Sequence, residues 1–498
     1  MKINQPLPYA SDDPPLFVPE FAAIGREILP ATEFVRHQIG FGATGSGKTE
    51  SFVRPLTRAV LRYPEPAAIA WSRQRKPNLA SPAELRFAAL VIDPKHELVE
   101  TVMAEATEGE GRRTIRFGPG QGYCVSLFEG DDPAAMAPSQ VVDRLMSLTD
   151  YAERDSQSRD PFWGHMARLL LTEFLGIDRY ISRNFPGGLP KFWRSFSERA
   201  RLAEIVSNVE ELPPFDPANY FQSLHCFFTA ASRHAGGHNP LIALYCDLLR
   251  DVGVPRSQYA SVETLGSLAE NTSTSLIIVF HSLVGSLLDP MLNECLWINP
   301  HAPPPAERIL RIHEVVANGD VVIYSPLAGL NETSVDETIG RSLKSIFFRA
   351  SLGAKPAQRG VAYIADEAQR FLSSQTKSSE AHFLDVGRAY RAGAVLATQS
   401  TASLIYRLSQ QQGGDDRAHS VLNIILANCG TKFFFRSTET STNGTLMSLL
   451  PNPENSQWPH ICEIRGVASL RVGEAFYLRA DGDWGRAQIR IAERDGAR

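Results

Sequence analysis

The residues with the clearest chemical meaning run Gly42-Ala43-Thr44-Gly45-Ser46-Gly47-Lys48-Thr49. They fit the spacing GxxxxGK[ST], with the strand-like HQIGFGA before and the helix-periodic stretch ESFVRPLTRAVLRY after. Glycines at these positions let successive backbone N–H groups turn toward a phosphate, and the N-terminus of the following helix favours negative charge. In such a loop the residues Gly42 to Glu50 cradle the phosphates of ATP. Lys48 reaches the β- and γ-phosphates, and the Thr49 hydroxyl ligates Mg2+.

A phosphate loop needs an acidic partner. Val361-Ala-Tyr-Ile-Ala-Asp366-Glu367 is an apolar run ending in two carboxylates, and the carboxyl end of a strand is where open α/β sheets bind ligands. Asp366 is expected to hold Mg2+, directly or through water, and Glu367 to polarise the attacking water. Gln399 ends the next apolar run, AVLATQ, and reads as a sensor of the γ-phosphate or of that water. Arg388 and Arg391 lie between these two strands, and either could act as an arginine finger at a neighbouring subunit's site. Asp93-Pro94-Lys95 closes a further strand and is expected at the same cleft edge. The sequence contains neither LSGGQ nor NKxD, which disfavours the transporter-type and GTPase classes of P-loop protein.

These residues must be carried by strands alternating with helices. Strand signals at Phe87–Asp93 and Thr114–Phe117 resume after Asp320 with VVIYSP, VAYIAD, AVLATQ and KFFFR, separated by helical stretches at Thr338–Leu352, Glu380–Tyr390 and Ser420–Ala427. Continuous apolar runs are typical of parallel strands covered on both faces. The alternation predicts a doubly wound, mostly parallel α/β sheet. EAFYLRA-DGDWG-RAQIRI reads as a late hairpin. Between about 136 and 310 strand signals fade and helical periodicity takes over; Trp163, Met166, Ala167, Leu170 and Phe174, for example, share one face of a helix. The expected organisation is a Pro-rich lead-in over 1–35, a discontinuous nucleotide-binding domain over 36–135 and 311–498, and an inserted all-α domain over 136–310. The run Arg73-Gln-Arg-Lys76 reads as a solvated loop.

The 498 residues suit two to three domains. With 43% hydrophobic and 21% charged residues, wholesale disorder is excluded. Fifty basic against 55 acidic residues, a net charge of −5, argue against a whole-surface nucleic-acid coat but leave room for a local basic channel. Six scattered cysteines without a CxxC pair match a reducing compartment. The longest apolar stretch, Ser275–Leu288, is interrupted by His281 and is shorter than a membrane span of ~20 residues. A cytoplasmic protein is expected.

The set GATGSGKTESFVRPL, VIDPKHEL, DPFWGHMARLLL, NGDVVIYSP, IGRSLKSIFF, YIADEAQRF, RAGAVLATQS and NIILANCGTKFFFR, in that order, resembles the type IV secretion coupling ATPases (TraG/TraD-like), members of the FtsK/HerA superclass of hexameric motors. The resemblance spans roughly residues 35–480. It implies a RecA-like P-loop domain with an inserted all-α domain, and gives Lys48, Thr49, Asp366, Glu367 and Gln399 the roles above. It further implies ATP and Mg2+ as cofactors, a homo-hexamer formed on nucleotide or DNA, sequence-independent DNA contacts in the ring channel, and substrate or adaptor proteins on the all-α domain. Family members usually begin with a transmembrane hairpin; this sequence shows none, so attachment to the membrane would fall to a separate anchoring or channel partner. Within the same reading, a substrate-recruitment adaptor switched by ATP and a cytosolic DNA translocase are the alternatives.

Overall fold

A computed structural model describes residues 22–24, 27–29, 34–63, 86–107, 112–128, 133, 135–146, 148, 162–234, 238–326, 334–353, 359–373, 379–412, 415–450, 464–480 and 482–488. The chain divides into two compact units, Met1–Gln121 with Ile312–Arg498, and Gly122–Arg311. The run Arg73–Lys76 and most of the Pro-rich lead-in fall outside the described residues.

The first unit is built on one nine-stranded sheet. Its strands are β1 (Gln38–Phe41), β2 (Ala88–Ile92), β3 (Thr114–Phe117), β4 (Val321–Tyr324), β5 (Val361–Ala365), β6 (Ala392–Thr398), β7 (Thr431–Phe435), β8 (Glu474–Leu478) and β9 (Trp484–Gln488). They lie in the order β9-β8-β7-β1-β6-β5-β2-β4-β3. From β7 to β3 every pairing is parallel. The expected hairpin adds β8 and β9 antiparallel at one edge. Central strands are buried along their whole length, which is why β2 and β5 are unbroken apolar runs and none of the five alternates apolar with polar residues. Phe41 is in register with Thr398 and Phe434, and Ala365 with Ile92 and Leu396. The carboxyl ends of β1, β2, β5, β6 and β7 are thereby level and form one edge.

Phe52, Leu56 and Val60, on the turn and helix after β1, pack with Leu98 and Val102 against Val91, Ile364 and Val395. Burying a large aliphatic or aromatic side chain contributes about 1.5–3 kcal/mol, so this layer fixes helix Arg54–Arg62 to the sheet. Ala22–Ile24 and Glu27–Leu29 pair as an antiparallel ribbon within the lead-in; three-residue strands are too short to show a sequence period.

The second unit is mainly helical. Phe162–Asn184, Gly188–Leu202, Tyr220–Ser232, Pro240–Asp251 and Glu270–Ser286 enclose a core of Phe174, Trp193, Phe196, Phe227 and Tyr245. Phe174 lies 5.7 Å from both Phe227 and Tyr245, ring centre to ring centre. Of the face read from the sequence, Ala167, Leu170 and Phe174 are buried, while Trp163 and Met166 are only partly covered. Asn239 caps Pro240–Asp251 by accepting from Leu241 N and Ile242 N at 3.1 and 3.2 Å. Cys124–Ser126 pairs in parallel with Leu296–Trp297 and Ile309–Leu310, and this small sheet draws the start of the unit back to Gly122. Among the described residues no helix is long and apolar enough to cross a membrane.

Candidate nucleotide-binding site

The loop after β1 is tied to the strands on either side of it. Gly42 N donates to Thr398 O at the end of β6 (3.2 Å), and Ala43 N donates to Arg436 O just past β7 (3.0 Å). The turn then closes with Ser46 N on Ala43 O at 3.1 Å. Gly47 has φ +90°, and a Cβ there would stand 2.7 Å from Gly473 N. This position therefore requires glycine both for its backbone and for the close approach of the turn before β8. Gly473 N in turn donates to Ser46 O at 2.9 Å. Thr49–Val53 continues as a single π-type turn before helix Arg54–Arg62, a departure from α geometry that often marks functional sites.

Lys48 is buried, and its Nζ donates to Gly42 O and, at 3.3 Å, to Ala43 O. Burial lowers its pKa, opposed by Glu367 and Asp366. The Thr49 hydroxyl donates to Asp366 Oδ2 at 2.9 Å. Asp366 is almost wholly buried, and its Oδ1 accepts from Glu367 N at 3.0 Å. Burial and the neighbouring Glu367 push its carboxyl up to about 6, despite the opposing pull of Thr49, Lys95 and Lys48. A hydroxyl and a carboxylate in contact here are hard oxygen donors of the kind Mg2+ takes alongside water and phosphate.

Glu367 sits at φ +49°, in the left-handed region, a strained conformation for this residue type that costs of order 1 kcal/mol. Its carboxylate bridges three elements. Oε1 accepts from Lys95 Nζ, and Oε2 accepts from Gln399 Nε2 at 2.9 Å and from Gln369 Nε2. Burial alone would raise the Glu367 carboxyl, but Lys95, Gln369 and Lys48 together hold it below its ordinary value. The group is thus a buried carboxylate held toward its ionised form, able to accept a proton. Gln399, one residue past β6, reaches the same atom.

The sequence placed Lys95 at this cleft edge without giving it a partner, and it gave no sign of Gln369. Asp93-Pro94-Lys95 was expected at the cleft edge as a unit, but its two polar residues part company. Asp93 is buried and accepts from Glu97 N and Leu98 N at 3.2 and 2.7 Å, tying down the turn that leads into helix Val99–Thr107. Lys95 alone turns to the cleft. The signal for it was a lysine just beyond a strand, whose neighbour β5 lies far away in sequence.

Arg388 and Arg391 occupy the opposite edge of the sheet. Arg388 is exposed on the short turn Gly387–Tyr390, and Arg391 immediately precedes β6. Seven strand residues separate them from Gln399, about 20 Å at ~3.3 Å per residue and far beyond an arginine's reach. Neither belongs to the Lys48–Glu367 cluster of its own chain.

No protein-family model matches this sequence, and comparison with curated proteins gives no match. Solved structures do match. The conjugative coupling protein TrwBΔN70 in its unbound form aligns with TM-score 0.52 and 13% identity over 95% of this chain and 88% of that one. TrwB with ADP and Mg2+ gives 0.53 and 12%, and TrwB with a non-hydrolysable ATP analogue gives 0.51 and 14%, each over 95% of this chain and 89% of the other. The sequence resemblance and the likeness in fold lead to the same proteins. The chain has the fold of TrwB, a RecA-like P-loop domain with a mostly parallel sheet and an all-α domain.

Proposed function

We propose that this chain is an ATP-hydrolysing, ring-forming motor that recruits or moves DNA or a nucleoprotein substrate for type IV secretion or conjugation. The observation that carries the reading is the convergence of Lys48, Thr49, Asp366, Glu367 and Gln399 on one edge of the sheet, with Glu367 kept ionised. Lys48 and the loop Gly42–Glu50 hold the phosphates. Thr49 and Asp366 would hold Mg2+, which when bound would supply positive charge against that of the phosphates. Gln399 orients a water in line with the γ-phosphorus, and Glu367 accepts its proton as the new P–O bond forms and the bond to the β-phosphate oxygen breaks. Arg388 or Arg391, at the far edge of the sheet, serves the site of a neighbouring subunit in a homo-hexamer. The TrwB complexes with ADP and Mg2+, with ADPNP and with GDPNP support nucleotide and magnesium binding.

In this reading segments 36–135 and 311–498 form the motor, and the insert at about 136–310 captures substrate or adaptor proteins. DNA is held by local basic groups in the ring channel, because the net charge of −5 provides no general attraction. The protein works at the cytoplasmic side, through a separate membrane-anchoring or channel partner.

The test is a titration of single- and double-stranded DNA into the purified chain, with ATP turnover and oligomer size measured at two salt concentrations. A motor coupled to its track shows turnover rising several-fold, with the effect falling steeply as salt rises and depending little on sequence. Turnover and assembly indifferent to both DNAs at low salt would sink the motor and leave the ATP-switched adaptor.

A further inference from the structure

The helical unit has a cavity of its own, with a volume of about 550 Å³. It is bordered by the helix Phe162–Asn184, the start of the helix Pro138–Met146 and the turn Arg256–Gln258. Gly176 lies on its wall, in the interior of the 23-residue helix, and a Cβ there would meet nothing within 4 Å. Glycine in such a place costs about 1 kcal/mol relative to alanine, and no close packing here requires it. Its bare backbone leaves room in the cavity instead. Two charged side chains of the wall are already engaged. Arg179 donates to Pro133 O at 2.6 Å and to Met136 O, and Glu173 accepts from Ser261 N and Val262 N at 2.9 and 3.0 Å, at the start of the helix Ala260–Ser267. Arg183, one turn beyond Arg179, is exposed and has no ion pair or hydrogen bond among the described residues; nor do the hydroxyls of Ser139 and Ser257. Gln258 Oε1 is buried without a partner. The wall therefore offers one uncommitted guanidinium, two hydroxyls able to donate, and an amide oxygen that lacks a donor.

An anionic group answers the guanidinium. The proposed function brings two kinds of anionic chain, protein and DNA, and Gln258 decides between them. A buried amide oxygen calls for an N–H or O–H. A peptide carries a backbone N–H at nearly every residue, whereas a sugar–phosphate backbone meets proteins through its acceptor oxygens. Resting on the reading of the insert as the part that captures substrate or adaptor proteins, we propose that this cavity binds an acidic peptide segment of the captured protein. Arg183 pairs with a side-chain or terminal carboxylate through charge-assisted hydrogen bonds. Ser139 and Ser257 donate to oxygens of the segment, Gln258 accepts from a backbone N–H, and Gly176 gives the segment space against the helix.

The probe is a short fluorescein-labelled Gly/Ser peptide with central glutamates, beside counterparts carrying glutamine or lysine in their place. Each is titrated into the full chain at low salt and followed by anisotropy. The glutamate peptide is expected to bind with a Kd on the order of 1 mM or tighter, about tenfold better than the lysine peptide, and to weaken as salt rises. Arg183→Gln is expected to weaken it about tenfold. Gly176→Leu, which fills the space with a good helix former, is expected to weaken it by at least as much. A thermal melt checks that both variants keep the fold. Glutamate and lysine peptides bound alike would overturn the proposal. So would a glutamate peptide bound by either variant as by the wild type, and capture would then stand but lie elsewhere on the chain. No binding of any peptide would remove the site and the capture reading together. A single-stranded oligonucleotide that displaces the peptide and itself loses affinity in Arg183→Gln would give the cavity to nucleic acid and overturn the peptide assignment.

Discussion

Both units bury carboxyl groups, but they compensate them differently. In the sheet unit both Asp366 oxygens accept hydrogen bonds, from Glu367 N and Thr49, and both Glu367 oxygens do so, from Lys95, Gln369 and Gln399. In the helical unit Asp178 is equally buried, yet the imidazole facing it, His301 Nε2, stands 3.8 Å from Oδ2, beyond hydrogen-bond length. Burial pushes Asp178 up to about 7, with the Tyr220 hydroxyl working against the rise. It also pushes His301 down to about 4, with Arg179 adding to the fall. Without close compensation a buried pair settles in its neutral forms. Depth alone therefore does not mark a reactive group. Cations and donors brought by separate strand ends keep Glu367 charged, whereas Asp178 sits among Tyr220, Tyr245 and the aromatic core as a packing element.

Removing the charge that the sheet unit maintains tests the contrast most sharply. Glu367→Gln keeps the shape of the side chain and leaves the Thr49–Asp366 contact in place, so ATP with Mg2+ should still bind. Turnover should fall by about 10²–10³, the usual loss for one transition-state contact. Single-turnover hydrolysis beside equilibrium binding separates the two quantities. Turnover close to wild type would remove Glu367 from the reaction and erase the distinction between the clusters.

Lys95 is the residue that makes the clusters differ, and replacing it should move the sheet unit toward the helical one. Burial acts to raise the Glu367 carboxyl, and Lys95 heads the influences that hold it low. In Lys95→Met burial wins, and the carboxyl titrates above its ordinary value. The acid limb of the turnover–pH profile should shift to higher pH, with a loss of about tenfold at its acid end that recovers as pH rises and the carboxylate ionises again. A uniform loss at every pH would show that Lys95 supports the fold and does not tune Glu367.

The legibility of the two clusters follows from their construction. Lys48, Thr49, Asp366, Glu367 and Gln399 each close or follow an apolar run, and such runs in a parallel sheet end at one edge, so sequence alone could gather them. Lys95 meets Glu367 across 272 residues, through a β2–β5 adjacency that strand order in sequence does not give. Asp93 carried the same local signal as Lys95 but turned inward to hold a helix start. The packing of Val472 and Gly473 against Gly47 is a tertiary contact with no local signature. The helical unit showed its periodic faces, but the two- and three-residue strands that begin and end it were too short to register. Asp178 is one polar residue within the helix Phe162–Asn184, and its local sequence carries no mark of burial.

The pH dependence of stability is the most specific test of the neutral pair. A buried acid whose folded pKa is raised stabilises the fold fully below its unfolded value, and that contribution is lost as pH climbs toward the folded one. For Asp178 the window runs from 3.8 to about 7, of order 4 kcal/mol. A histidine whose folded pKa is lowered acts in the opposite sense, with its stabilisation lost as pH falls from 6.5 toward about 4, of order 3 kcal/mol. Between about pH 4 and 6.5 the unfolded chain carries a proton on His301 and the folded chain carries one on Asp178. The proton counts match, and the pair imposes no slope on stability. Each single variant should unmask the other partner. Asp178→Asn should make the unit less stable as pH falls from 6.5 to 4, and His301→Gln should make it less stable as pH rises from 4 to 7. Hydrogen exchange of the amides in Phe162–Asn184, followed across that range in the full chain, reads the slope within this unit alone. Two variants whose profiles run parallel to the wild type would mean that burial shifts neither Asp178 nor His301, and the contrast between the two clusters would collapse.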